Sequence, residues 1–163
     1  MAVAYTGRQG LLLENVRDLI AQSAQWQTTT GAANAAAAEA FIQLVEKEYA
    51  SGDRPFCSVW FGSEWSWTRN SRESFINDEQ GTVEIHFQID ATGADAQEKH
   101  ANFTNVMDQI IEEMAAVAGQ GYVSVMTFNR DDMPIRVTGE YDSVTDTSSE
   151  DFFIMDLTLY LGN

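Results

Sequence analysis

The sequence predicts an α+β fold in which helices pack on one face of a mostly antiparallel sheet, with the element order α-α-β-β-α-β-β-β. Three observations carry this. Apolar residues recur at helical spacing near the start of the chain and again over residues 95–118. They alternate with polar residues over 82–90 and 152–161. Aromatic and β-branched residues gather in the alternating stretches, where a pleated, half-covered surface suits them. At 163 residues the chain has the length of a single domain, 1–163, able to bury roughly 68–70% of its unfolded surface. No internal repeat or linker divides it.

Residues 11–26 form the first amphipathic helix, with Leu12, Val16, Leu19, Ile20 and Trp26 on one side. The polar run Gln27-Thr28-Thr29-Thr30-Gly31 then reads as a turn, because threonine suits caps better than helix interiors. A second helix is expected over residues 32–49. It starts in the alanine-rich run 35–38 and carries Phe41, Ile42, Leu44, Val45 and Tyr49 as its apolar face. Gly52 and Pro55 close it. From Phe56 the period becomes two, with Cys57, Val59, Phe61, Trp65 and Trp67 on one parity and a bend or bulge at Gly62-Ser63. Residues 70–81 read as a polar connection. Val83, Ile85, Phe87 and Ile89 then define the cleanest strand, alternating with Glu84, His86 and Gln88.

Asp95, followed three residues later by Glu98, is a capping-box start. The helix it opens runs to about Ala118, along a stripe of Phe103, Val106, Met107, Ile110, Ile111, Met114 and Val117 that requires a sheet to cover it. Strands follow at 122–128 and 135–141. An acidic segment over 142–151 precedes the last strand, 152–161.

Nine basic and twenty-five acidic side chains leave a formal charge of −16. That balance disfavours nucleic-acid recognition, which needs clustered Lys and Arg, and repels anionic membrane surfaces. No stretch approaches the roughly 20 apolar residues that span a bilayer. The first ten residues show no cationic segment followed by an apolar run, so synthesis in the cytoplasm is the expectation. The lone cysteine, Cys57, lies in an aromatic strand and reads as a small buried hydrophobe.

Catalytic signatures are missing. His86 and His100 have no partners at metal-ligand spacing, and neither a nucleophile elbow nor a phosphate loop occurs. The acids Asp131, Asp132, Asp142, Asp146, Glu150 and Asp151 read as a solvated surface without the regular ligand alternation of a calcium loop. The expectation is therefore a protein that is not an enzyme and holds no cofactor or metal. The aromatic run is the most informative polar–apolar mixture. Trp60, Trp65 and Trp67, with Arg69 and Arg72 just beyond, either fill the core or meet a partner subunit, since Trp and Arg dominate interface hot spots.

With this element order, and with the run Arg54-Pro55-Phe56-Cys57-Ser58-Val59-Trp60-Phe61 followed by Ser63-Glu64-Trp65-Ser66-Trp67, the chain resembles the tail-terminator (tail-completion) proteins of long-tailed bacteriophages. The resemblance covers nearly the whole chain. It implies a structural virion protein, made in the host cytoplasm. Six copies would form a ring that caps the tail tube protein and joins it to the head connector protein. DNA would pass the lumen without specific binding, and an acidic lumen would repel its phosphates. Asp131, Asp132, Asp142, Asp146, Glu150 and Asp151 are the candidates for that lumen or a ring face. The alternatives are another phage neck or tail-tube component, or a small-ligand-binding α+β domain whose Trp65 and Trp67 line an apolar cavity.

Overall fold

The computed structural model describes residues 8–50, 52–68, 78–118, 137–145 and 151–162. Its elements are α1 (Arg8–Ala21), α2 (Ala24–Thr30), α3 (Ala35–Ala38), β1 (Ile42–Gln43), β2 (Phe56–Thr68), β3 (Asp78–Asp90), α4 (Ala96–Ala118), β4 (Val137–Thr145) and β5 (Asp151–Gly162). Single 3-10 turns stand at Glu39–Phe41 and Lys47–Tyr49. The sheet order is β1-β2-β3-β5-β4. The architecture is α+β as expected, but the sheet is mixed. β2, β3, β5 and β4 pair antiparallel, whereas β1 adds a short parallel edge through Ile42↔Cys57 and Gln43↔Ser58.

The core lies between the helices and one face of the sheet. Leu12, Val16, Leu19 and Ile20 of α1, Trp26 of α2, and Phe103, Met107, Ile110 and Met114 of α4 form one cluster with strand residues. The strands contribute Cys57, Val59, Val83, Ile85, Phe87, Ile89, Phe153, Leu157 and Leu159. The period-two pattern of β3 and β5 therefore does what it predicts: one parity is covered by helices. Phe103 stacks on Phe153 at 4.8 Å, and the His100 ring meets Phe153 edge-on at 6.2 Å, which seats α4 on β5. The α4 N-terminus is capped by Asp95 Oδ1, which accepts from the Glu98 N–H at 2.9 Å, while Glu98 Oε2 accepts from Ala94 N–H at 2.8 Å.

The first predicted helix is two. Ser23 breaks it: its hydroxyl accepts from Trp26 N–H at 2.9 Å and donates to Glu113 Oε2 on α4 at 2.6 Å. The break aims Trp26 at Phe87, 5.4 Å away in an edge-to-face contact. The threonines expected in a turn complete α2 instead. Thr28, Thr29 and Thr30 donate their hydroxyls to the carbonyls of Ala24, Gln25 and Trp26, one turn back. Gly31 then ends α2 at φ +69°, and the Gly31 and Ala32 N–H groups close on Thr28 O and Gln27 O, a Schellman-type stop.

The second predicted helix is reduced to a single turn. Asn34 caps α3 through its side chain, which accepts from Ala37 N–H, but after Phe41 the chain extends and Ile42 pairs with Cys57. Pairing a buried β-branched residue with the sheet overrides helix propensity here. β3 also begins earlier than the sequence suggested, at Asp78, so residues 78–81 pair with β2 and do not form a turn. Likewise β4 runs on to Thr145 and β5 starts at Asp151, which shortens the predicted acidic connection. The predicted strand 122–128 lies outside the described residues, as do residues 135–136 at the start of the next. No helix among the described residues is long and apolar enough to cross a membrane.

Glu113 gives this packing a pH dependence. Partial desolvation works to raise its carboxyl, but hydrogen bonds from Ser23, Gln25, Gln109 and Ala24 outweigh that and hold it below the ordinary glutamate value. A carboxyl lowered by folding stabilises above its unfolded pKa and loses that contribution as pH falls through the folded one. Thermal unfolding followed from pH 7 to pH 3 should therefore show wild type converging on Glu113→Gln below about pH 4.3, the ordinary glutamate value. A constant gap between the two at every pH would mean that the carboxylate charge is irrelevant.

Candidate functional site

On the face of the sheet away from the helices, β2, β3 and β5 carry a row of chemistry-bearing residues in direct register: Ser58↔His86 and His86↔Asp156. The chain segment 44–49, which leaves edge strand β1, lies over this row. Between the segment and the strands opens a cleft of about 830 Å³, lined by Glu46, Lys47, Glu48, Ser58, Trp60, Phe61, Glu84, His86, Asp156 and Thr158 among others. Lys47 spans it and donates from Nζ to Asp156 Oδ2 at 3.2 Å.

The row resembles an acyl-transfer triad in composition, so its geometry is decisive. His86 Nδ1 lies 2.6 Å from Asp156 Oδ1, the distance and atom pair that orient a catalytic imidazole. The other ring nitrogen, Nε2, is 3.1 Å from the Gln88 amide nitrogen. Gln88 donates there, which leaves the ring hydrogen on Nδ1, directed to Asp156. The Nε2 atom that would take a proton from serine is thus occupied, and no hydrogen bond joins Ser58 to His86. The His86 ring is only 8% exposed and tilts against Phe56 at 6.4 Å. His86 and Asp156 therefore brace β3 against β5, and Ser58 beside them makes no nucleophile–base contact of the kind acyl transfer needs.

Charge and burial divide the rest of the lining. Glu46, Glu48 and Glu84 are exposed, and no ion pair within the described residues engages them. Trp60 and Phe61 are half-buried and meet edge-to-face at 5.5 Å. Gly62, also in the lining, occupies the bulge expected at Gly62-Ser63. Pairing shifts between Phe61↔Val83 and Trp65↔Gly81, so Gly62, Ser63 and Glu64 together face Thr82. Among the described residues no three His, Cys, Asp or Glu side chains come together as metal ligands. Cys57 is fully buried on the helix side, where desolvation pushes its thiol well above the usual value.

Of the residues singled out in the sequence, Trp60 lines the cleft. Trp65 and Trp67 continue β2 opposite Gly81 and Glu79, while Arg69 and Arg72 lie outside the described residues. Among the acids, Asp142 pairs with Ile154 and Asp151 with Thr145, so both belong to strands and not to a loop. Asp131, Asp132, Asp146 and Glu150 lie outside the described residues. Sequence reasoning missed Lys47, Ser58, Glu84 and Asp156. Ser58, Glu84, His86 and Asp156 all stood on the polar parities of their strands, but that signal carries no pairing register. No protein-family model matches the chain, and no curated protein matches it either.

Proposed function

We propose that this protein is a structural component of a long-tailed bacteriophage: a ring, of six copies, that terminates the tail tube and joins it to the head connector. It transforms no substrate in this reading. The observation that carries it is the asymmetry of the sheet. One face is sealed by α1, α2 and α4, while the other keeps half-buried Trp60 beside exposed Glu46, Glu48 and Glu84, which no ion pair among the described residues engages. Aromatic groups at the edge of an open polar cleft suit docking between subunits, and the occupied Nε2 of His86 argues against catalysis. The size, the element order and the aromatic run of β2 support the phage assignment through their resemblance to tail terminators. A charge of −16 suits a lumen that DNA slides through without sticking.

In the assembled virion the acids Asp131, Asp132, Asp142, Asp146, Glu150 and Asp151 would face that lumen or a ring face. Native mass determination and electron microscopy of the purified chain, alone and with tail tubes, test the reading. Annular six-fold particles are expected in at least one condition. A particle that stays monomeric in both, and whose melting temperature rises with a small molecule, would instead favour a ligand-binding domain. The cleft volume is the one observation on that side.

A further inference from the structure

We infer that segment 44–49 is a strap latched over the open face of the sheet by Lys47, and that protonation of His86 releases the latch. This holds whether or not the chain forms a ring. Ser58 and His86 belong to the face away from the helices, yet they are only 2% and 8% exposed, while Glu84 on the same face of β3 is exposed. The segment lies over them after leaving β1, where Ile42 and Gln43 pair with β2. Its backbone closes a single turn, with the Tyr49 and Ala50 N–H groups donating to Glu46 O and Lys47 O at 2.9 and 3.2 Å. Lys47 ties that turn to β5, since Nζ donates to Asp156 Oδ2 at 3.2 Å.

The latch is shared. Asp156 Oδ1 lies 2.6 Å from His86 Nδ1, so one carboxylate serves both an ammonium group and an imidazole. With the ring neutral the arrangement is consistent: Nδ1–H donates to Asp156, and Nε2 accepts from the Gln88 amide nitrogen 3.1 Å away. A proton added to the ring lands on Nε2, the nitrogen that carries the lone pair. Two donors then face each other there, and the Gln88 amide must turn over to present its oxygen. On the other side of the ring, two cations now compete for one carboxylate. They are not equally free to leave. The His86 ring is nearly buried and tilts against Phe56, whereas the Lys47 side chain is 52% exposed on a flexible four-carbon stem. Lys47 is therefore the one that yields.

The charges around His86 leave this competition in place. Exposed Glu84 stands two residues back on the same face of β3, and exposed Glu46 and Glu48 line the same cleft from the strap. Glu140 of β4 is in register with Asp156, and β2 presents the uncharged Ser58 opposite His86. At the end of β3, Asp90 is paired with Arg54. The acids favour an imidazolium, and Lys47 is the cation in the lining that opposes it.

The test follows the 15N-labelled full chain by NMR between about pH 8 and about pH 5, the range in which histidine ordinarily changes charge while carboxylates stay ionised. The His86 ring nitrogens report protonation, and the Lys47 Nζ resonance reports the ion pair. Exchange protection at Tyr49 and Ala50, corrected for intrinsic rates, reports the strap. As His86 charges, the Lys47 signal should move to that of a free lysine with the same midpoint, and protection should fall at least threefold. Lys47→Met, at an exposed position, should show the low protection at every pH. His86→Asn, which keeps a donor for Asp156 without the charge, should hold Lys47 in place and make protection flat across the range. A Lys47 signal that stays on Asp156 while His86 charges overturns the latch. So does protection that falls by the same factor in Lys47→Met. A His86 ring that remains neutral down to the acid end removes the proton as trigger.

Discussion

Trp26→Ala should lower the unfolding free energy by about 3–5 kcal/mol, the range for deleting a large buried aromatic side chain. Trp26 is fully buried, and its ring meets Phe87 at the centre of the sheet. It is also the residue whose N–H the Ser23 hydroxyl caps, so the ring is delivered to the core by the same hydrogen bonds that start α2. One feature reduces its worth. The indole Nε1 is buried without a hydrogen-bond partner among the described residues, a situation that costs about 1–3 kcal/mol. Trp26→Phe removes that orphan donor while keeping an aromatic ring against Phe87. It should therefore lose less than half of what alanine loses. Urea denaturation of the three proteins decides the matter. A loss under about 1 kcal/mol for alanine would mean that α2 does not dock as described.

Gly62→Ala should destabilise by about 1–3 kcal/mol through overpacking. A Cβ built on Gly62 would stand 1.9 Å from Thr82 Oγ1, 2.8 Å from Thr82 Cβ and 3.2 Å from Thr82 O. A rotamer change moves the first atom only. The second and third belong to the frame of the central strand, and Thr82 is just 5% exposed. The bulge cannot move aside cheaply, because Phe61↔Val83 and Trp65↔Gly81 hold it on both sides. The double variant Gly62→Ala/Thr82→Gly removes the clashing side chain and should fall less far than the two single losses added together. Strict additivity in chemical denaturation would show that the contact is not what requires glycine.

Much of the fold was legible. The stripe of α4, its Asp95–Glu98 start, the alternation of β3 and β5, the bulge at Gly62 and the burial of Cys57 all depend on residues within a few positions of one another. The misreadings share one cause. Threonines 28–30 looked like a turn because their side chains compete with the backbone, yet in α2 those hydroxyls bond one turn back and continue the helix. The alanine-rich run promised a long helix, but it yields to an edge strand once Cys57 offers Ile42 a pairing partner. The cleft was legible only as fragments. Polar parity marked Ser58, Glu84, His86 and Asp156, and the tryptophan run marked Trp60, but nothing local brought Lys47 to the same face.

The amino-acid order alone determined the long helix α4, the alternation of β3 and β5, the acidity and the buried parity of each central strand, because periodicity, capping and net charge are properties of neighbours along the chain. The tertiary structure alone decided where the first helix breaks, which way segment 44–49 crosses the sheet, and that both ring nitrogens of His86 are engaged, by Asp156 and Gln88. Those outcomes rest on hydrogen bonds between residues 90, 109 and 70 positions apart, Ser23–Glu113, Lys47–Asp156 and His86–Asp156. Contacts at such separations exist only after the strands have paired, and pairing register is a property of the whole sheet.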